Sequence, residues 1–121
     1  MRTITTHHTN ECNKAITLDA DDRNENGVTQ NYYASWHEVD DSTMTIDIPF
    51  QYGPIKEVGT NGLTLEVLLS IAADQLEGYQ SSPYANKYNA TALDHIRAAA
   101  YTLELRTKER EARGVEGTHK L

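Results

Sequence analysis

The chain has 121 residues and a mass of 13.6 kDa, enough for one domain and short for two. Eleven basic and 18 acidic residues give a formal charge of −7, only 38% of residues are hydrophobic, and mean hydropathy is −0.64. No apolar run approaches the roughly 18 residues of a membrane span; Met1 to His8 carry no signal-peptide core, and the single Cys12 excludes an intramolecular disulfide, so the expectation is a small cytosolic domain.

In chain order, the first half reads as short strands. Lys14 to Leu18 alternates weakly, and Asp19 to Gly27 follows as an acidic loop rich in Asp and Asn. Gln30 to Val39 carries Tyr32, Tyr33 and Trp36. Thr43 to Phe50 alternates Met44, Ile46, Ile48 and Phe50 against Thr45, Asp47 and Pro49, a period-2 pattern that predicts a strand with one buried face. Val39 to Thr43 fits a hairpin loop, and Pro49 favours an edge or a strand end. Residues 51–62 form a glycine-punctuated connector.

The second half changes to helical periodicity. Thr64 suits an N-cap, and Leu65, Leu68, Leu69, Ala72 and Leu76 form an amphipathic stripe. Gly78 reads as the stop, with Ser82 and Pro83 as N-cap and first residue of the next helix. That helix is expected to run to about Arg113, before Gly114, with Leu93, Ile96, Ala100 and Leu103 on its apolar face. The fold class is therefore α+β: a small N-terminal antiparallel sheet, then a long antiparallel helical hairpin, assembling as a dimer or higher oligomer. Residues 1–121 form a single domain, with 1–62 as sheet region and connector and 63–121 as hairpin. A chain of this size often gains core by self-association.

Two clusters carry recognisable binding chemistry. Stepping by seven from Ile96 gives Leu103 and then Arg110, so an arginine continues the inner stripe, with Arg106 and Arg113 beside it. Guanidinium forks suit a phosphate or pyrophosphate. The alternative is a solvated helix end, with Arg106 paired to Glu109 and Arg110 or Arg113 to Glu111 or Glu116. Tyr79, Tyr84 and Tyr88 lie near the turn beside Asn86 and Asn89. Aromatic faces stack on nucleobases and amides read base edges or sugar hydroxyls; the alternative is tyrosines packed on the sheet or on another subunit.

Asn89 and Arg110 are separated by roughly 31 Å along a helix. A small ligand touching both clusters therefore needs the turn of a second chain. Residues 1–57 hold ten acids against four bases and residues 58–121 eight against seven. Duplex nucleic acid, whose affinity rests on phosphate neutralisation, is accordingly not an expected partner. An anionic ligand must meet a local basic pocket.

Other patterns carry less. His7, His8, His37, His95 and His119 show no metal-ligand spacing with Cys12, so no metal site is expected. Asp19, Asp21, Asp22 and Glu25 lack EF-hand order, and Gly53, Gly59 and Gly62 form no phosphate-loop fingerprint. No nucleophile–base arrangement can be placed by spacing, and no cofactor is implied.

Three stretches, Phe50 to Thr64, Leu76-Glu77-Gly78-Tyr79-Gln80-Ser81, and Arg106 to His119, resemble the Thoeris anti-defence family of phage and prophage proteins. The hairpin is similar to that of phage sponges for CBASS cyclic nucleotides, and the resemblance covers roughly residues 12–119. It implies a sponge, not an enzyme, acting in the cytoplasm of the bacterial host. Such a protein binds glycocyclic ADP-ribose isomers made by a TIR-domain sensor and does not cleave them. The resemblance also implies dimers that assemble into hexamers, with a second site type for cyclic trinucleotides. By position, the ligand contacts fall on Tyr79, which would stack on adenine, Asn89, which would bond a base or sugar, and Arg106 and Arg110, which would hold the pyrophosphate. Arg23 is the candidate for a second ligand. Family members commonly have phenylalanine at the positions of Tyr79 and Tyr84, and a cysteine-arginine-glutamate run at Asn86-Lys87-Tyr88, a change that bears on ligand preference.

Two further function classes remain open on residues alone. One is an enzyme degrading a cyclic nucleotide, for which only Glu109 or His95 offers a general base. The other is a helical hairpin used as a protein-interaction module.

Overall fold

The computed structural model describes all 121 residues, which fold as two compact units. One comprises Met1–Tyr52 with Thr60–Leu63; the other comprises Gly53–Gly59 with Thr64–Leu121.

The first unit is a four-stranded antiparallel sheet in the order β1 (Arg2–Ile4), β2 (Thr17–Ala20), β3 (Asn31–His37), β4 (Thr43–Pro49). The register pairs Leu18 with Ala34, and Ala34 with Ile46. Residues directly opposite share a face, so Ile4, Leu18, Ala34, Trp36, Met44 and Ile46 line one side and Thr3, Asp19, Tyr33, Ser35, Thr45 and Asp47 the other. β4 is an edge strand and Pro49 closes it, as its missing N–H requires. The β3–β4 loop spans 38–42; Asp41 adopts φ 66°, and the Asp40 carboxylate accepts from the Ser42 amide and hydroxyl at 3.0 and 2.6 Å.

Four expectations for this half are corrected. Asp19 and Ala20 belong to β2, not to the acidic loop, because pairing on both edges overrides local polarity; Thr3 donates to the Asp19 carboxylate at 2.8 Å. Lys14 ends a short helix, α1 (Glu11–Lys14), capped by Asn10, which accepts from the Asn13 amide at 2.8 Å. The alternating face of β4 is not buried in the single chain: Met44 and Ile46 remain 44% and 50% exposed. Residues 51–62 are not all connector, for α2 occupies Ile55–Val58. At Gly62 a Cβ would stand 2.4 Å from the Phe50 carbonyl carbon, so the Phe50–Leu63 bridge requires glycine there.

The second unit contains α2 and the antiparallel hairpin of α3 (Leu65–Gln80) and α4 (Lys87–Ala112). Thr64 caps α3, accepting from the Val67 amide at 3.3 Å. Leu68, Leu69, Ala72 and Leu76 face half-buried toward α4, whereas Leu65 is exposed. On α4, Leu93 is buried, with Ile96, Ala100 and Leu103 half-buried along the same stripe. Arg97–Glu77 at 2.9 Å and Arg106–Glu66 at 3.8 Å tie the helices across the hairpin.

Two helix boundaries differ from expectation. Gly78 does not stop α3, which continues to Gln80 and closes at Ser81 through its amide to the Glu77 and Gly78 carbonyls. Ser82 and Pro83 do not open α4. Asn86 does, accepting from the Asn89 amide at 2.8 Å, because Gln80 reaches across the turn to both the amide and the carbonyl of Asn86. Ser82 instead donates to the Tyr79 carbonyl at 2.6 Å and accepts from the Tyr84 amide at 3.1 Å.

Candidate functional site

The site residues fall at the two ends of the hairpin. At the turn end, Tyr79 sits on the last turn of α3 and Asn89 on the first turn of α4. Tyr84 and Tyr88 are 74% and 75% exposed and Tyr79 is 48% exposed, so each leaves a large part of its ring open. Lys87 Nζ lies 5.2 Å from the centre of the Tyr88 ring. An open concavity of about 350 Å³ is lined by Asp74, Gln75, Gly78, Tyr79, Ser82 and Tyr84.

At the other end stand Arg106 and Arg110. Arg106 is more than half exposed, and its one ion pair is a loose 3.8 Å contact with Glu66 on α3, not with Glu109. Arg110 follows Leu103 on the inner side as the periodicity predicts, and its side chain is only 23% exposed. Its Nε donates to Glu116 at 3.1 Å, Nη1 to the Leu121 main-chain oxygen at 3.3 Å, and Nη2 to the Val115 carbonyl at 3.0 Å. Arg113 is bound to Glu109 through two nitrogens and also donates to Leu121 at 2.7 Å.

The local backbone explains this arrangement. α4 ends in a Schellman motif: the Gly114 amide bonds the Glu111 carbonyl at 2.9 Å and the Val115 amide bonds the Arg110 carbonyl at 3.0 Å. Gly114 takes φ 73° to allow it, and Val115 turns inward and is buried. The reversal returns residues 115–121 over the Arg110 fork. Lys56 of α2 donates its amide to the Gly117 carbonyl at 3.2 Å, and His119 bonds Glu57 at 3.1 Å, so the tail is fastened on both sides.

Within one chain the structure joins Tyr79 to the turn and Arg106 to Arg110. It does not join the two pairs: along α4, Asn89 lies about 25 Å from Arg106 and about 31 Å from Arg110. Arg23 is in the first unit, exposed on the loop after β2, donating to the Gly27 carbonyl at 3.1 Å. On that loop Tyr52 donates to Glu25 at 2.6 Å, which holds the Glu25 carboxyl below and the Tyr52 phenol above their ordinary values. No group of three or more His, Cys, Asp or Glu side chains is placed to hold a metal ion. Sequence reasoning missed Glu66, Gln80 and the tail carbonyls. Gln80 lay within its reach, being spaced to clamp a turn opened by Asn86.

A small antiparallel sheet followed by a helical hairpin, with aromatics at the turn and arginines at the far end, defines a class of hairpin-bearing proteins. The family described as Acb2/Tad1, hairpin domain, matches residues 43–108, more than half of the chain, and the chain belongs to that family. The matched range contains Tyr79, Asn89 and Arg106 and stops short of Arg110. The chain is also similar to Thoeris anti-defense 1 of Bacillus phage SBSphiJ7, with 42% identity over 72 residues. The aligned part covers 60% of this chain and 51% of that relative, so the chain spans about half of the relative's length.

Proposed function

We propose that this protein is a phage anti-defence sponge that binds and sequesters glycocyclic ADP-ribose without cleaving it. The observation that carries the reading is the division of labour along the hairpin. Exposed aromatics and an amide stand at one end, and a pair of arginines at the other. A cyclic dinucleotide-like ligand needs both a stacking face and a diphosphate receptor. The name of the phage relative supports the anti-defence role.

In this reading Tyr79 stacks on adenine and Asn89 bonds a base or sugar group. Arg106 and Arg110 take the pyrophosphate. The separation of the two ends requires the turn of one subunit to meet the arginines of another, so the working form is a dimer or a higher assembly such as a hexamer. Arg110 enters the pocket already oriented, because Glu116 fixes its Nε edge. The Val115 carbonyl on its Nη2 is a neutral acceptor, and a phosphate oxygen is the stronger one. Cyclic trinucleotides take a separate site, for which Arg23 is the candidate. No helix is long and apolar enough to cross a membrane, which fits action in the host cytoplasm.

A degrading enzyme fits less well. Glu109, one of the two candidate bases, is already engaged by Arg113 through two nitrogens. The decisive experiment is to load the protein with glycocyclic ADP-ribose, denature it and chromatograph the released ligand. Recovery of the intact ligand in stoichiometric amount is expected; a cleaved product would overturn the sponge in favour of the enzyme.

A further inference from the structure

We infer that α2 is a positioning element for Arg110: it anchors the returning tail, and the anchored tail holds the guanidinium in the direction from which a diphosphate meets it. The inference rests on the sponge reading of Arg110 and adds Gly117 and Glu57, which act through the tail.

α2 is four residues long and buries little of its own, since Ile55 and Val58 both stay exposed. Pro54 at its N-cap offers no side-chain acceptor. The Lys56 amide, one of the first-turn donors that a helix cannot satisfy itself, therefore needs a partner from elsewhere. The tail supplies it: the Gly117 carbonyl accepts from the Lys56 amide at 3.2 Å. Gly117 has φ 77°, and a Cβ there would stand 3.0 Å from Lys56 Cγ and 3.3 Å from Ile55 Cγ2. Glycine is thus needed there for conformation and for close approach alike. Two residues on, the His119 Nδ1–H donates to the Glu57 carboxylate at 3.1 Å.

The stretch that α2 anchors is the one that surrounds the Arg110 fork. Glu116 takes Nε at 3.1 Å, the Val115 carbonyl takes Nη2 at 3.0 Å, and the Thr118 carbonyl lies 3.5 Å from the same nitrogen. The Thr118 amide donates to the Val115 carbonyl at 3.2 Å and its hydroxyl donates to the same oxygen, which closes residues 115–118 into a tight turn. Fixing Gly117 within that turn fixes the acceptors at 115, 116 and 118 with it. A guanidinium on a flexible stem loses rotamer freedom when it binds, and one already held has less to lose. Arg106 has no such frame, its ion pair being the loose 3.8 Å contact with Glu66. The clasp therefore acts on one arginine of the pair and not on the other.

The test is titration calorimetry with glycocyclic ADP-ribose on wild type, Gly117→Ala, Glu57→Ala and Glu57→Gln, repeated in the Arg106→Ala and Arg110→Ala backgrounds at higher ligand concentration. Heteronuclear NMR follows the Arg110 Nε–H group in the ligand-free proteins. Gly117→Ala and Glu57→Ala are expected to weaken binding about 3- to 10-fold and to move the Nε–H signal toward that of a free arginine. Glu57→Gln, which keeps the acceptor, is expected to restore both. The His119–Glu57 pair is exposed, so Glu57→Ala should melt close to wild type. The weakening should persist in Arg106→Ala and vanish in Arg110→Ala. Equal weakening in the two backgrounds, or an Arg110 signal unchanged in Gly117→Ala, overturns the positioning role and leaves the sponge standing. An Arg110 signal that depends on Gly117 and Glu57, without uptake of glycocyclic ADP-ribose by wild type, keeps the clasp on Arg110 and overturns the sponge.

Discussion

Arg110 has two duties that separate at the level of single atoms. Its Nε and Glu116 form a part-buried pair, and its Nη atoms hold the carbonyls of the returning tail. Hydrogen bonds from a charged donor contribute about 1.5–3 kcal/mol each when part-buried. Arg110→Ala is therefore expected to lower unfolding stability by about 2 kcal/mol in urea melts and to speed amide exchange across residues 115–121. Arg106→Ala, whose contact is exposed and 3.8 Å long, is expected to stay within about 0.5 kcal/mol of wild type.

A second residue-scale expectation concerns Glu25 and Tyr52. The hydrogen bond lowers the Glu25 carboxyl and raises the Tyr52 phenol, and Asp21 raises Tyr33 in the same way. A raised phenol stabilises the fold below its ordinary value near 10 and the benefit disappears as pH climbs through the folded value. The lowered carboxylate stabilises above about 4.5 and the benefit disappears as pH falls through its folded value. Absorbance titration at alkaline pH should show two of the seven tyrosines ionising after the others, one of them lost in Tyr52→Phe.

Among the elements, the long helices were the most legible because a 3.6-residue stripe repeats several times in each. The Leu93–Leu103 face follows from it, and the Thr64 cap and the stop before Gly114 follow from residue type. The start of α4 was misread because Ser82 and Pro83 carry a stronger local signal than Asn86. The Gln80 clamp that decides between them is a cross-turn contact. Asn86→Ala should accordingly cost about 1 kcal/mol of stability and Ser82→Ala less, measured by urea midpoints. β1, α1 and α2 are three or four residues each, too short for any periodicity to register. Arg110 was legible as a charge on an apolar stripe. Its pairing with Glu116 was among the alternatives the charges offered; its other tail partners are main-chain oxygens, which every residue possesses and no residue type announces.

At the scale of the molecule, the apolar core of one chain is thin. Among apolar residues only Ala20, Leu93 and Val115 are buried, while Val67, Ile71, Tyr101 and Leu105 stay open on the hairpin and Met44 and Ile46 on the sheet. A chain of this length holding so little inside gains stability by covering such faces with further copies. Sedimentation should give a mass at least twice 13.6 kDa, reduced in Ile71→Asp. That assembly is also what the proposed pocket needs, because the turn and the arginines of one hairpin cannot reach the same small ligand.

The central claim is that the far-end arginines bind a nucleotide diphosphate, and Arg106→Ala tests it most cleanly because Arg106 has little structural work within the chain. Calorimetric titration of wild type with glycocyclic ADP-ribose should give a nanomolar Kd, about −12 kcal/mol, weakened about 10- to 100-fold in Arg106→Ala at an unchanged melting temperature. No heat with wild type, or the same Kd in the variant, would contradict the account.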